Sequence, residues 1–154
     1  MGLDMYLTAS KWTHGYAHGT DVEKEAFSSI INAVGAQDFY DKGSPTATVE
    51  FNIGYWRKAN AIHGWFVEHV QDGEDNCNKY YVSKDKLRAL QEACLTALAD
   101  RSEAPKLLPP TEGFFFGGYE LDEWYWECLK ETVVVIGRAL RLPDEWQIHY
   151  QSSW

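Results

Sequence analysis

The sequence predicts an α+β protein in which about four helices pack on a small antiparallel sheet. Three segments alternate apolar and polar residues with the period of two that half-buried strands show: Leu3–Thr8, Thr46–Ile53 and Trp146–Tyr150. Four longer segments between the first and last of these repeat apolar residues at the i, i+3, i+4 spacing of amphipathic helices. A length of 154 residues is typical of one domain, so residues 1–154 are expected to form a single domain. No unit of about 20 to 50 residues recurs, which argues against a solenoid.

The first predicted strand is followed by a loop and a helix. Residues 9–19 lack any apolar period and are predicted to form an irregular, aromatic loop. Thr20 or Asp21 is a suitable N-cap for a helix that continues to Val34, and Gly35 follows its end.

The central stretch from Thr46 to Val70 is predicted to be a strand followed directly by a helix. Gly54 is expected to end the strand and to begin the turn into the helix. Gly64 is expected to leave an opening on this helix that a side chain or a ligand can approach. The predicted apolar stripe consists of Ala59, Ile62, His63, Phe66, Val67 and Val70.

The C-terminal half is predicted to contain two long helices and the last strand. Ser83 caps a helix that continues to about Asp100, and a proline-rich connection follows it. Gly113–Gly118, with three adjacent phenylalanines, is predicted to be a short strand or a stiff aromatic loop. The second long helix spans about Leu121–Leu140, and Pro143 prevents its extension.

The charge and the cysteines exclude several classes of protein. A net charge of -9 argues against direct nucleic-acid binding, which needs clustered Lys and Arg, but it permits a small phosphorylated ligand. Cys77, Cys94 and Cys128 are isolated, which disfavours a disulfide framework and a zinc knuckle, and no cofactor is predicted. The sequence shows no signal peptide and no membrane span, so we expect a cytoplasmic protein without membrane contact.

Aromatic residues are abundant, with seven Trp, nine Tyr and seven Phe. Phe51 and Phe66 are predicted to lie on the buried faces of their elements. A compact core does not readily enclose so many rings, and interfaces are enriched in them. We therefore expect a homo-oligomer, with a closed dimer as the commonest arrangement.

Several sequence blocks together resemble a family of small uncharacterised proteins that occur in bacteriophages, prophages and their hosts. The blocks are M-G-L-D-M-Y-L, G-Y-W-R-K-A-N-A-I-H-G-W-F, Y-Y-V-S, L-L-P, G-F-F-F-G and D-E-W-Y, and they cover more than half of the chain. Residues 9–45 match nothing in that family. The resemblance implies a phage or mobile-element setting, and a location in the host cytoplasm if a phage encodes the protein. It implies no mechanism.

The residues around the predicted strand-to-helix junction suit a small anionic, nucleotide-like ligand. Aromatic rings stack on bases, Arg and Lys pair with phosphates, an amide bonds a base edge, and a helix N-terminus offers free N–H groups. The alternative is that the rings are packing residues and the cations form surface ion pairs. The predicted ligand-binding residues are Tyr55, Trp56, Arg57, Lys58, Asn60, His63, Phe115 and Tyr119.

The histidines are weak candidates for catalysis or metal binding. His63 lies on the predicted apolar stripe, where a hydrogen-bonded core histidine is commoner than a catalytic base. His14 and His18 have i, i+4 spacing, but Gly15 and the absence of a helical pattern disfavour a metal site. We therefore predict no catalytic residues and no metal ligands.

Three functional hypotheses follow from these observations. The first is a non-enzymatic phage-type protein that sequesters a small anionic, nucleotide-like signalling molecule and so antagonises a host defence. The second is an acidic inhibitor that binds a host enzyme directly. The third is a small hydrolase or transferase that uses His63 together with a carboxylate.

Overall fold

The computed structural model describes residues 2–113, 118 and 120–154. It has the predicted α+β class: a four-stranded antiparallel sheet is combined with helices. The strands are β1 (Asp4–His14), β2 (Thr46–Arg57), β3 (Tyr80–Tyr81) and β4 (Gln147–Ser153). The helices are α1 (Asp21–Ala33), α2 (Asn60–His69), α3 (Lys84–Ala99), α4 (Ala104–Leu107) and α5 (Glu123–Ala139).

The strand order in the sheet is β2-β1-β4-β3. The three strands predicted by alternation therefore share one sheet, as expected. The short strand β3 pairs antiparallel with β4, with Tyr80 opposite Tyr150 and Tyr81 opposite His149. Since β1 and β4 are neighbours although they stand at opposite ends of the sequence, the sheet joins the two ends of the chain.

The chain divides into two compact units. The described residues of 1–9 and 52–154 form the larger unit, and residues 10–51 form the smaller one. The prediction of a single domain stays a prediction.

The core of the larger unit lies between its part of the sheet and the helices α2, α3 and α5. Apolar residues at strand and helix spacing meet there, as the sequence pattern requires. Fully buried members include Leu3, Met5, Leu7, Ile62, Phe66, Leu87, Leu90, Leu129 and Ile136. Each such side chain contributes roughly 1.5–3 kcal/mol of burial free energy, so this core is the main source of stability.

The helix α3 begins after Ser83, its predicted N-cap, and α5 begins at Glu123, close to the predicted start at about Leu121. The Ser83 side chain accepts a hydrogen bond from the Lys86 N–H at the start of α3, and the Asp122 side chain accepts one from the Tyr125 N–H at the start of α5. The proline-rich segment after α3 was predicted to be a connection without a helix, but it contains α4. This one-turn helix forms because Pro105 lies in its first turn, where a missing N–H costs nothing.

The three cysteines are free and occupy different environments. Cys94 and Cys128 are buried on α3 and α5, whereas Cys77 is exposed. Burial raises the pKa of the Cys94 thiol and the pKa of the Cys128 thiol, each to about 12.

The smaller unit contains α1 and a cluster of rings. Thr20 and Glu23 form a reciprocal capping box at the start of α1, as the predicted N-cap requires. Phe27 and Ile31 are its buried residues, and Phe27 meets Tyr40 edge to face with ring centroids 5.3 Å apart. These local contacts explain why α1 ends close to its predicted boundary.

Two predictions about the strands are wrong. The strand β1 continues to His14, so the predicted loop over residues 9–19 is strand in its first part. Phe51 is not buried, because 44% of its surface is exposed, whereas Phe66 is fully buried as predicted. The alternation that placed Phe51 inward does not hold along β2, where Gly54 and Trp56 are the buried positions.

Candidate functional site

The strand β2 does not end at Gly54, contrary to prediction, but continues through it to Arg57. A Cβ atom at Gly54 would lie 2.4 Å from Val135 Cγ1 and 3.4 Å from Leu7 Cβ. Gly54 therefore allows the strand to approach α5 closely, and the turn is made elsewhere. Sequence alone does not distinguish these two uses of glycine.

The turn from β2 into α2 lies at Lys58. Its φ angle of 55° is in the left-handed region, and its N–H donates to the Leu3 carbonyl at 2.7 Å. The first helical residue is Asn60, and Ala59 at the N-cap offers no side-chain hydrogen bond. The helix therefore starts several residues later than the sequence predicts.

The first turn of α2 has three backbone N–H groups without a partner in the described structure. The first hydrogen bond of the helix runs from the His63 N–H to the Ala59 carbonyl at 2.9 Å. The N–H groups of residues 60, 61 and 62 donate to no described residue. Free N–H groups are usual at the first turn of a helix, and here the three residues that carry them are otherwise buried.

A cavity of about 240 Å³ opens at this first turn. It is lined by Lys58 and the first turn of α2 and by Glu120, Asp122 and Trp124 from the start of α5 and the residues before it. The remaining lining residues are Ala59, Ala61, Ile62, Gly118, Tyr125, Cys128 and Leu129. The Tyr125 hydroxyl donates to the Leu108 carbonyl at 2.8 Å, which fixes that ring in the wall.

Asn60 is only 6% exposed and has a defined orientation. Its Nδ2 donates to the Gly118 carbonyl at 2.9 Å. Since a carbonyl only accepts, the nitrogen must be on that side and the side-chain oxygen Oδ1 on the other. Oδ1 accepts no hydrogen bond from the described residues, so an acceptor remains available beside the cavity.

The cavity has charges of both signs on its walls. The Lys58 ammonium forms no ion pair with the residues that the structure describes. Asp122 uses Oδ1 to cap α5, at 2.9 Å from the Tyr125 N, and its Oδ2 has no described partner. Glu120 is exposed at the rim. The lining thus offers donors from Lys58 and the first turn of α2, and acceptors from Asn60, Glu120 and Asp122.

Among the predicted site residues, Lys58 and Asn60 line this cavity, and three neighbours do not. Trp56 is 2% exposed, and its Nε1 donates to no described residue, so the ring has no accessible face for stacking. Arg57 is exposed outside the cavity. Tyr55 packs beside Tyr6, with ring centroids 5.4 Å apart. Its hydroxyl donates to Asp4, and this bond raises the pKa of Tyr55.

His63 lies in the middle of α2 and is fully buried. Its Nε2 is 3.0 Å from Asp75 Oδ1, and its Nδ1 is 2.7 Å from the Tyr150 hydroxyl. Burial lowers the pKa of His63, although the Asp75 carboxylate opposes that shift. A neutral ring that donates from Nε2 to Asp75 and accepts from Tyr150 at Nδ1 satisfies this geometry.

His63 and Tyr150 are buried in the core, whereas Asp75, at the outer end of these hydrogen bonds, is exposed. Phe66 stacks on the Tyr150 ring with centroids 3.9 Å apart and an interplanar angle of 8°. Burial raises the pKa of Tyr150 well above its usual value, so its hydroxyl stays protonated and donates. Because His63 has no exposed surface, it does not touch a substrate in this arrangement. The nearby Gly64 packs against Thr111, whose side chain fills the predicted opening.

The other predicted residues fall outside the cavity or outside the described structure. Phe115 and Tyr119 lie outside the described residues. His14 and His18 have ring centroids 6.0 Å apart. Within residues 2–113, 118 and 120–154, no group of three His, Cys, Asp or Glu side chains is arranged to hold a metal ion.

Sequence reasoning missed the α5 side of the cavity. Trp124 is 55% exposed and lines the cavity, although it was not among the predicted ligand-binding residues. The acidic residues at the start of α5 suit the positive end of the helix dipole, but the cap uses only one oxygen of Asp122. A sequence signal did exist, because an exposed Trp beside two carboxylates in the first turn is unusual for a purely structural helix start.

No protein-family model, no curated protein and no solved structure matches this chain. The resemblance to phage proteins therefore stays a prediction. In the part of the chain that the structure describes, no helix has the length and apolar character needed to span a membrane.

Proposed function

We propose that this protein is a non-enzymatic binding protein that captures a small anionic, nucleotide-like molecule in the cavity at the first turn of α2. One observation carries the proposal: Lys58 and the first turn of α2, where the N–H groups of residues 60, 61 and 62 have no described partner, line the same cavity. A helix N-terminus with free N–H groups and a nearby cation is a suitable site for a phosphate group.

The energetics favour an occupant with negative charge. A buried polar group that lacks a partner costs about 1–3 kcal/mol. An anion that accepts from residues 60, 61 and 62 removes this cost, and the charge on the acceptor strengthens each bond. Lys58 adds an attraction that depends on ionic strength, because the side chain is exposed.

The cavity also offers a surface for a planar ring. Trp124 is the exposed ring in the lining, and it takes the stacking role that the sequence assigned to Trp56. Stacking of a base on an aromatic side chain contributes about 1–3 kcal/mol. The cavity of about 240 Å³ is smaller than the roughly 300–1,000 Å³ of sites for drug-sized ligands, which favours a mononucleotide over a dinucleotide.

Binding without turnover is the simpler role for these residues. Cys128 lines the cavity, but burial raises its thiol pKa to about 12, so it is not a thiolate nucleophile near neutral pH. The resemblance to phage proteins suggests why binding of a nucleotide without turnover would be useful. A protein that sequesters a signalling nucleotide in the host cytoplasm would antagonise a defence that depends on that signal.

Calorimetry with defined probes tests the proposal. The panel contains inorganic phosphate, adenosine 5′-monophosphate (AMP), cyclic AMP and ADP-ribose. We expect AMP to bind at micromolar concentrations and Lys58→Ala to weaken it about tenfold, because the cation faces the anion. Arg57→Ala is the matched control: it removes the adjacent exposed cation, which lies outside the cavity, and should leave affinity unchanged.

Two results would contradict the proposal. One is that no probe binds more tightly than about 1 mM, a free energy near -4 kcal/mol that carries little specificity. The other is that Arg57→Ala weakens binding as much as Lys58→Ala does. Direct binding of the acidic chain to a basic host protein would then be the better hypothesis.

A hydrolase or transferase is the second candidate, and the hydrogen bond between His63 Nε2 and Asp75 at 3.0 Å favours it. That pair has the orientation of a base held by a carboxylate. Quantitative recovery of the nucleotide after denaturation supports capture. Conversion of the probe to a product, lost in Asp75→Asn with the fold retained, supports the enzyme instead.

A further inference from the structure

We infer that residues 75–78 form a lid that opens while the rest of the fold stays intact, and that its opening connects His63 with a groove beside α2. The lid and the groove share no residue with the cavity at the first turn of α2. The inference therefore goes beyond the proposed function and does not depend on it. It comes from the way in which four residues close over a fully buried histidine.

The lid contributes no buried apolar side chain to the core. Asp75, Cys77 and Asn78 are exposed, and Asn76 is half-buried. None of the four residues makes a backbone-to-backbone hydrogen bond with a described residue. Segments with few buried apolar contacts and few backbone hydrogen bonds open at a lower free energy than the core does. The lid therefore has the features of a segment that opens locally.

Side-chain hydrogen bonds hold the lid closed. Gln151 Nε2 donates to the Cys77 carbonyl at 2.9 Å, and Asn76 Nδ2 donates to the Tyr80 hydroxyl at 2.8 Å. The Asn76 carbonyl accepts two longer bonds, of 3.4 and 3.5 Å. Because water can replace such bonds at a surface, each contributes little, and the closed form depends on their sum.

Opening of the lid changes what surrounds His63. Asp75 Oδ1 is 3.0 Å from His63 Nε2, and Asp75 also lines the groove together with Val67 and Thr111. When Asp75 leaves with the lid, Nε2 faces the space that the carboxylate occupied, which is continuous with the groove. The Tyr150 hydroxyl, 2.7 Å from Nδ1, belongs to β4 and continues to orient the ring. The open form thus presents one nitrogen of a positioned histidine to the groove.

Chemical labelling measures this opening. Diethyl pyrocarbonate acylates accessible neutral imidazole rings, and peptide mapping by mass spectrometry gives a rate for each histidine. His69, exposed on the same helix, is the internal reference, and His63 should react far more slowly. Gln151→Ala removes one bond to the lid and should raise the His63 rate about two- to tenfold. Gln147→Ala changes an exposed residue of the same strand that has no described bond to the lid, and should leave the rate unchanged.

A second pair of variants tests the other end of the lid. Tyr80→Phe deletes the hydroxyl that accepts from Asn76 and should raise the His63 rate by a similar factor. Tyr81→Phe removes an exposed hydroxyl from the same strand, one without a described bond to the lid, and should have no effect. Both pairs leave His63 and Asp75 unchanged, so a faster reaction reports access and not altered chemistry at the ring.

Urea separates opening of the lid from unfolding of the core. A local opening exposes little surface, so about 1 M urea should leave the His63 rate nearly unchanged, whereas global unfolding would accelerate it about fivefold or more. The inference is overturned if urea accelerates the reaction to that extent, or if Gln151→Ala and Tyr80→Phe do not raise the rate above that of their controls. Complete protection of His63 in every variant also overturns it, because the lid then stays closed.

Discussion

The polar groups in the middle of α2 have hydrogen-bond partners, whereas the N–H groups in its first turn have none among the described residues. In the middle, the Asp75–His63–Tyr150 chain satisfies both ring nitrogens of a fully buried histidine. In the first turn, three N–H groups and Asn60 Oδ1 have no described partner. The difference shows that one helix can use polar groups for stability at one point and keep them available for a ligand one turn away.

The middle of α2 should therefore be sensitive to loss of packing. Phe66→Ala is expected to lower the free energy of unfolding by about 3–5 kcal/mol, because Phe66 is fully buried and stacks on Tyr150. Phe51→Ala is the matched control and should cost about 1 kcal/mol or less, since that ring is 44% exposed. Urea unfolding measures both, and equal losses would contradict the assignment of the core.

Removal of a single hydroxyl tests the hydrogen bonds that connect Asp75, His63 and Tyr150. Tyr150→Phe deletes the hydroxyl and leaves His63 Nδ1 buried without its donor, which should cost about 1–3 kcal/mol in unfolding free energy. Tyr55→Phe removes the same atom from an exposed ring and should cost less than about 1 kcal/mol. If Tyr55→Phe lowers the free energy of unfolding as much as Tyr150→Phe does, the hydrogen bond to the buried His63 contributes no more to stability than the exposed one.

The pH dependence of stability should also report on the middle of α2. Because the folded pKa of His63 is lowered, the unfolded chain binds a proton more readily below pH 6.5. This contribution to stability is present above pH 6.5 and is lost as the pH falls from there towards the folded pKa. Asp75 and Tyr150 face the ring. Burial raises the pKa of the Tyr150 hydroxyl well above its usual value, so this hydroxyl stays neutral in that range.

Two measurements check this dependence. Urea unfolding at pH 7.5 and 5.5 should give a lower free energy of unfolding at pH 5.5, by about 1.4 kcal/mol for each unit of lowering that falls in the window. An NMR titration of the His63 ring should show a midpoint below 6.5. A midpoint at or above 6.5 would reverse the assigned sign.

The smallest effect is expected at the first turn. Ala59→Ser places a hydroxyl at the N-cap, where it can accept from the free N–H groups and raise the free energy of unfolding by up to about 1 kcal/mol. The same hydroxyl should lower AMP affinity, because it competes for those N–H groups. Ala61→Ser adds a hydroxyl to the same cavity without a capping position, so it controls for the added atom. Tighter AMP binding in Ala59→Ser would contradict the anion site.

Local patterns in the sequence were sufficient for the fold class and for most elements. Strand alternation placed β1, β2 and β4 in one sheet, and the capping residues Thr20, Ser83 and Asp122 lie at helix starts. These features depend on neighbours in the chain, so they can be read without tertiary contacts.

The site was less predictable because it depends on contacts between distant residues. Gly54 has the sequence signature of a turn, and only the approach of Val135 reveals another reason for glycine. Likewise Trp56 and Arg57 precede α2 next to Lys58, yet Trp56 enters the core and Arg57 lies outside the cavity. The α5 wall comes from residues about sixty positions further along the chain, which no local pattern connects with Lys58.

Because the three cysteines differ in exposure, their alkylation rates can report local opening of the core. Cys77 is exposed, whereas Cys94 and Cys128 are buried on facing helices of the larger unit. An alkylating reagent should therefore modify Cys77 rapidly and reach Cys94, which is fully buried, only when α3 and α5 separate. The rate of modification of Cys94 thus measures how often that helix pair opens under native conditions, without an added label.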